Sequence, residues 1–217
     1  MDDKDMINLW KSYDKRLEES LILNRKNTEE ITRINVQNSI GSMKPVKLVI
    51  LLVGIAWVSA GSVLVVNLLR FSFEEVSKFF LFSATAQLFI TLLAIIVYLY
   101  QFVLIQQVDS SEPILETQKK VAQLQSSTLW VTRILFLQLP LWTTFYLSES
   151  LFKNANLAFY LLQGFVTLSF TYAAFWLFVN INYGNSDKKW FRLLFDGREW
   201  TPVIKSMEML RQIEEYH

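Results

Sequence analysis

The sequence has 217 residues, of which 52% are hydrophobic, 15% aromatic and 19% charged, whereas soluble domains usually carry about 25% charged residues. The 21 basic and 20 acidic residues nearly balance, which argues against nucleic acid as a partner, and the lack of cysteine excludes disulfides and thiolate chemistry. The single histidine is residue 217, so the sequence offers only one candidate residue for histidine-centred catalysis. The composition favours a membrane protein.

Residues 1–45 predict a cytosolic amphipathic helical segment. Four apolar residues recur at three- and four-residue intervals, which places them on one face of a helix with charged residues opposite: Trp10, Tyr13, Leu17 and Leu21. They form the candidate interaction face. The polar run 24–30 interrupts this pattern, and Asn27 with Glu30 has the chemistry of a helix start. One long helix and two consecutive helices both fit the segment.

Residues 46–183 predict a transmembrane domain of four helices, with spans at about 48–69, 79–105, 129–147 and 157–181. A helix needs roughly 20 apolar residues to cross a bilayer core about 30 Å thick. Arg133 is the only charged residue inside these spans. The third span also contains Pro140, so a re-entrant hairpin is the alternative to a full crossing there.

The connections between the spans carry helix-start signals. Ser72 and Glu75 have the spacing of a capping box that would start the second helix, and Asn154 or Asn156 can cap the fourth. Pro113 predicts the start of a helix within the cytosolic loop 109–128. The pairs Ala56-x-x-x-Ala60 and Ser169-x-x-x-Ala173 predict close helix packing.

The distribution of basic residues predicts the orientation. Seventeen lysine and arginine residues flank the spans on the side of both termini, and three lie on the other side. Because basic residues are retained in the cytosol, we expect a multi-pass protein of the cytoplasmic (inner) membrane with both termini cytosolic. Arg133 would then lie near the cytosolic interface and extend its side chain to the lipid headgroups.

Residues 184–217 predict a cytosolic tail with an interfacial helix and a final amphipathic helix that starts at Thr201-Pro202. In the first of these helices, apolar side chains share one face opposite three basic residues, which is typical of a helix lying in the membrane interface. The apolar face consists of Trp190, Phe191, Leu194 and Phe195.

Candidates for chemistry are few. Gln87, Gln138 and Gln163 lie at intermediate depth in three spans, where glutamines usually hydrogen-bond between helices. The alternative is that they converge as a polar intramembrane site. No catalytic motif is present, and we expect neither enzymatic activity nor a cofactor or metal site.

The N-terminal stretch also carries a resemblance. Residues 9–24 have the sequence LWKSYDKRLEESLILN and precede a four-span body. This arrangement resembles that of small, uncharacterised bacterial inner-membrane proteins with a leader helix. Some of these accompany sigma-factor genes, so the resemblance implies a regulatory partner. It covers residues 1–45 and the topology, and assigns no functional residue.

Together these patterns predict an all-α integral membrane protein without enzymatic activity, whose cytosolic helices bind another protein. Besides the lipid bilayer, the candidate partners are a second copy of the chain and a cytosolic regulatory protein. The alternative hypothesis is a small transporter or channel that uses the three glutamines.

Overall fold

The computed structural model describes residues 3–108, 112–186, 188–195, 197 and 200–215. Every regular element within them is helical, which confirms the predicted all-α class. A 3₁₀ turn, Tyr183–Asn185, lies between α7 and α8. The α-helices in chain order are α1 Asp3–Gly41, α2 Lys44–Phe71, α3 Lys78–Gln107, α4 Ile114–Phe136, α5 Leu139–Thr144, α6 Glu149–Asn154, α7 Leu157–Asn180, α8 Lys189–Phe195 and α9 Thr201–Glu215.

Three helical stretches are long and apolar enough to cross a membrane: Trp10–Phe71, whose apolar part is α2, then Lys78–Gln107 and Leu157–Asn180. They coincide with the predicted spans 48–69, 79–105 and 157–181. Most of their large apolar side chains face outward rather than into a protein core. An exposed apolar surface of this extent is unfavourable in water and is compatible with a membrane protein.

The predicted third span, 129–147, is not a separate helix. α4 begins in the predicted loop and continues to Phe136, so the loop helix and the first part of the span form one element. The helix is interrupted at Leu137 and Gln138, and α5 follows with Pro140 in its first turn. Proline donates no amide hydrogen bond and clashes with the preceding turn, which explains the break.

The helix ends settle three sequence-based expectations. α1 is one continuous helix, so Asn27 lies in its interior and starts no second helix. The capping box at Ser72 was wrong, because α3 begins only at Lys78, after Ser77. The cap at Asn156 is confirmed: its Oδ1 accepts the backbone N–H of Phe159 at 2.9 Å.

Buried apolar residues form three clusters. The first, called here the terminal bundle, joins the second half of α1 to the end of α3, the start of α4 and α9; its members include Val36, Ile40, Ile105, Val121, Leu124, Val203 and Leu210. The second joins α2, α3 and α4 through Leu51, Ile95, Tyr98 and Val131. The third joins α4, the end of α7, α8 and α9 through Leu129, Ile181, Phe191, Phe195 and Trp200.

Two glycines allow α2 and α3 to approach closely. A Cβ added at Gly61 would lie 2.5 Å from Leu88 Cδ2, and one at Gly54 would lie 3.2 Å from Ile95 Cγ1. The small residues predicted to pack behave differently, because Ala56 and Ala60 are exposed on α2. The helix contact therefore uses the glycine face of α2 and leaves the alanine face toward the surroundings.

Candidate interaction surface and intramembrane polar residues

The N-terminal arm, defined as residues 3–28 of α1, extends beyond the terminal bundle. Every side chain from Trp10 to Thr28 is exposed. The predicted interaction face is among them: Trp10 is 73% exposed, Tyr13 63%, Leu17 61% and Leu21 60%. At 1.5 Å per residue the arm is about 40 Å long. It presents an apolar stripe that no described part of the chain covers.

Charge pairs along α1 support the helix where tertiary contacts begin. Arg25 Nε lies 3.3 Å from Glu29 Oε1, and Arg33 approaches the same carboxylate at 4.0 Å. Pairs spaced by four residues stabilise an exposed helix by a few tenths of a kcal/mol each. Such pairs contribute little to the stability of the helix, and the apolar side chains of the arm stay exposed beside them.

Gln138 lies at the break between α4 and α5 and bonds to α3. Its Nε2 donates to Thr91 Oγ1 at 3.2 Å, and that hydroxyl donates to the carbonyl of Gln87 at 2.8 Å. The side-chain Nε2 of Gln87 is buried and has no hydrogen-bond partner among the described residues. The Gln138 side chain therefore reaches Thr91 on α3, whose hydroxyl bonds to the backbone of Gln87, and neither bond involves the Gln87 side chain.

Gln163 belongs to a separate group of hydrogen bonds between α5 and α7. Its Nε2 donates to the carbonyl of Thr143 at 2.7 Å and to Thr167 Oγ1 at 3.1 Å. Its Oε1 accepts the hydroxyl of Tyr146 at 2.5 Å, and Thr143 also bonds to Thr167 at 3.2 Å. These contacts fasten the short helix α5 to α7, as glutamines between membrane helices usually do.

The side chain of Arg133 contacts other residues of the protein. Its Nε donates to the carbonyl of Ile181 just after α7, and its guanidinium lies 5.7 Å from the ring centroid of Trp130. A charged side chain near a membrane interface is stabilised by a backbone carbonyl and an aromatic face. Instead of extending freely to the headgroups, Arg133 connects α4 to the end of α7.

The apolar face predicted for α8 is partly buried in the protein and partly exposed. Phe191 and Phe195 are buried and stacked at 4.3 Å between ring centroids, with Trp200 5.0 Å from Phe195. The ring of Trp190 lies 4.9 Å from that of Trp176 on α7. Leu194 remains 45% exposed. Two of the four predicted residues thus pack into the protein core.

One buried basic residue was missed in the sequence. Lys47, in the first turn of α2, is fully buried, and its Nζ lies 4.3 Å from the ring centroid of Tyr98. Gln101, one turn further along α3, is also fully buried and has no side-chain partner among the described residues. Lys47 directly precedes the first apolar run, where a lysine side chain is ordinarily solvated. Nothing in the sequence therefore indicated that Lys47 is buried.

Within the described residues, no group of three or more histidine, cysteine, aspartate or glutamate side chains is placed to hold a metal ion. Comparison with protein-family models, with curated proteins and with solved structures finds no match to this chain. The fold and the chemistry of its surfaces are therefore the basis for a functional proposal.

Proposed function

We propose that this protein is a four-span membrane protein without enzymatic activity whose N-terminal arm binds another protein on the cytosolic side. The observation that carries the proposal is the exposed stripe of Trp10, Tyr13, Leu17 and Leu21. Buried tryptophan and tyrosine residues supply much of the binding energy at protein interfaces. An amphipathic helix with such anchors at three- and four-residue spacing fits a groove or a second helix.

The partner is either a second copy of the chain or a cytosolic regulator. The terminal bundle supports this arrangement because it fixes one end of the arm while the other end extends into solution. In the proposed topology α4 and α5 together form the third span, and the 17 basic residues flanking the spans on one side orient the arm to the cytosol. The hydrogen-bonded groups around Gln138 and Gln163 favour a packing role over a transport site.

The test replaces Trp10 and Leu17 with serine and compares this variant with Lys15→Ser/Glu19→Ser. The control pair lies on the opposite face of the same helix and leaves the net charge unchanged. All four side chains are exposed, so neither variant changes a buried position. In-cell crosslinking from the arm and the oligomeric mass in detergent are measured for both.

We expect the Trp10/Leu17 variant to lose its crosslinked adduct, while the control variant and the wild type retain it. An adduct of twice the chain mass identifies a second copy as the partner, and an adduct of another mass identifies a regulator. Equal crosslinking and equal oligomeric mass in all three proteins would refute an interaction through this face.

A further inference from the structure

A cleft of about 1230 Å³ lies between α4, α8 and α9, beside the 3₁₀ turn that follows α7. It is separate from the arm. α7, which is long and apolar enough to cross a membrane, ends at Asn180, and residues of the turn that follows it line the cleft. Its volume exceeds that of an ordinary small-molecule site.

Much of the cleft wall is apolar. Leu115 and Ala122 on α4 and Ile204 and Met207 on α9 line the cleft, together with the largely buried rings of Phe191, Phe195 and Trp200. Trp200 lies with its ring 5.6 Å from Phe191, within the same aromatic group. This wall is suited to an acyl chain.

Two residues of the wall carry hydrogen-bond donors without acceptors. Gln125 is 8% exposed and Trp200 is 3% exposed. Gln125 Nε2 and Trp200 Nε1 have no hydrogen-bond partner among the described residues. An indole N–H can only donate, so it needs an acceptor from elsewhere. An unpartnered buried donor costs roughly 1–3 kcal/mol, which an oxygen-bearing ligand would recover.

The charges around the cleft favour an anion. Among the residues that the structure describes, Lys119 on α4, Arg192 on α8 and Arg211 on α9 line it, beside the carboxylates of Glu116 and Glu208. Lysine and arginine side chains are the usual partners of carboxylate and phosphate groups. A ligand for this cleft therefore combines acidic oxygens with an apolar chain.

We propose that the cleft binds an amphiphile with an acidic head group and an acyl chain, either a free fatty acid or an anionic phospholipid. The chain lies along the apolar wall, and the head-group oxygens accept from Gln125, Trp200 and the basic residues. Surrounding side chains cover both donor nitrogens, so binding includes a local side-chain rearrangement.

The experiment uses the full-length protein in a neutral detergent and native mass spectrometry. Oleate and oleoyl-lysophosphatidylglycerol serve as acidic probes, and oleyl alcohol has the same chain without the acid. Ala122→Phe places a ring in the cleft, whereas Gln123→Phe places the same ring on the neighbouring exposed position of α4, which does not line it. Lys119→Gln removes an exposed cation while leaving the apolar wall intact.

We expect both the wild type and Gln123→Phe to bind oleate more tightly than oleyl alcohol. Ala122→Phe should weaken oleate binding by about tenfold or more, because its ring occupies the space of the chain. Lys119→Gln should reduce the preference for oleate over the alcohol, and this readout does not depend on the folding of Ala122→Phe.

The two acidic probes distinguish the sources. Binding of oleate alone indicates a free fatty acid, and binding of the lysophospholipid indicates a membrane lipid. Equal binding of each acidic probe by Ala122→Phe and Gln123→Phe would overturn the proposal, and so would a wild type that binds neither acidic probe more tightly than oleyl alcohol. Neither result bears on the arm, which can fail or succeed separately.

Discussion

Valine at Gly61 should weaken the contact between α2 and α3. A Cβ at this position would lie 2.5 Å from Leu88 Cδ2, whereas ordinary van der Waals contacts lie at 3.4–4 Å. Either the leucine side chain or the whole of α2 must therefore retreat by about 1 Å. Valine adds two further methyl groups to the same space.

The expected cost follows from two opposing effects. Overpacking a close contact destabilises a protein by about 1–3 kcal/mol. Valine is better than glycine in a helix by about 0.4 kcal/mol, which offsets a small part of this cost. We expect Gly61→Val to lower the free energy of unfolding by about 1–2 kcal/mol. The measurement is reversible unfolding of the purified protein in mixed micelles of neutral detergent and dodecyl sulfate.

Gly164 on α7 provides the matched control, since a Cβ there would meet nothing within 4 Å. Gly164→Val should leave the stability nearly unchanged or raise it slightly. Adding Leu88→Ala to Gly61→Val should recover part of the loss, because it vacates the space that valine needs. If the valine variants at Gly61 and Gly164 were equally stable, the close approach of α2 and α3 at Gly61 would be wrong.

Two further predictions concern other contacts. Gln163→Leu should lower the free energy of unfolding by about 0.6–2 kcal/mol in the same assay, because it removes the bonds to Thr143, Thr167 and Tyr146; an unchanged value would mean that these bonds do not fasten α5 to α7. Phe191→Ala should cost about 3–5 kcal/mol, since this fully buried ring packs in the third cluster. Leu193→Ala, at a position that is 84% exposed, should cost far less; similar losses would contradict the inward orientation of Phe191.

Local sequence patterns predicted the position of a helix where a long uncharged apolar run determined it. Each end of the predicted spans 48–69, 79–105 and 157–181 lies within four residues of the matching end of α2, α3 or α7. Uncharged apolar runs of this length have few alternatives to a helix, because a backbone in lipid must satisfy its own hydrogen bonds. The cap at Asn156 was equally local and was confirmed, whereas the capping box at Ser72, also a local pattern, was wrong.

The helical structure of the third span could not be predicted from the hydrophobic pattern alone. Its apolar residues and those of the preceding loop share a helical period, so nothing in the sequence separates the loop helix from the span. Pro140 indicated a disturbance there but not its outcome. The hydrogen bonds of Gln138 to α3 and of Gln163 to α7 hold the broken element in place, and these partners are distant in sequence.

The sequence by itself determined that the chain is helical, that it belongs in a membrane and that the N-terminal arm is amphipathic. Only the tertiary structure decided which apolar faces touch protein: Gly61 rather than Ala56 on α2, and Phe191 rather than Leu194 on α8. Lipid tails are as apolar as leucine, so hydrophobicity cannot distinguish a lipid-facing side chain from a packed one. Shape and hydrogen-bond partners make that choice, and both arise only when the helices come together.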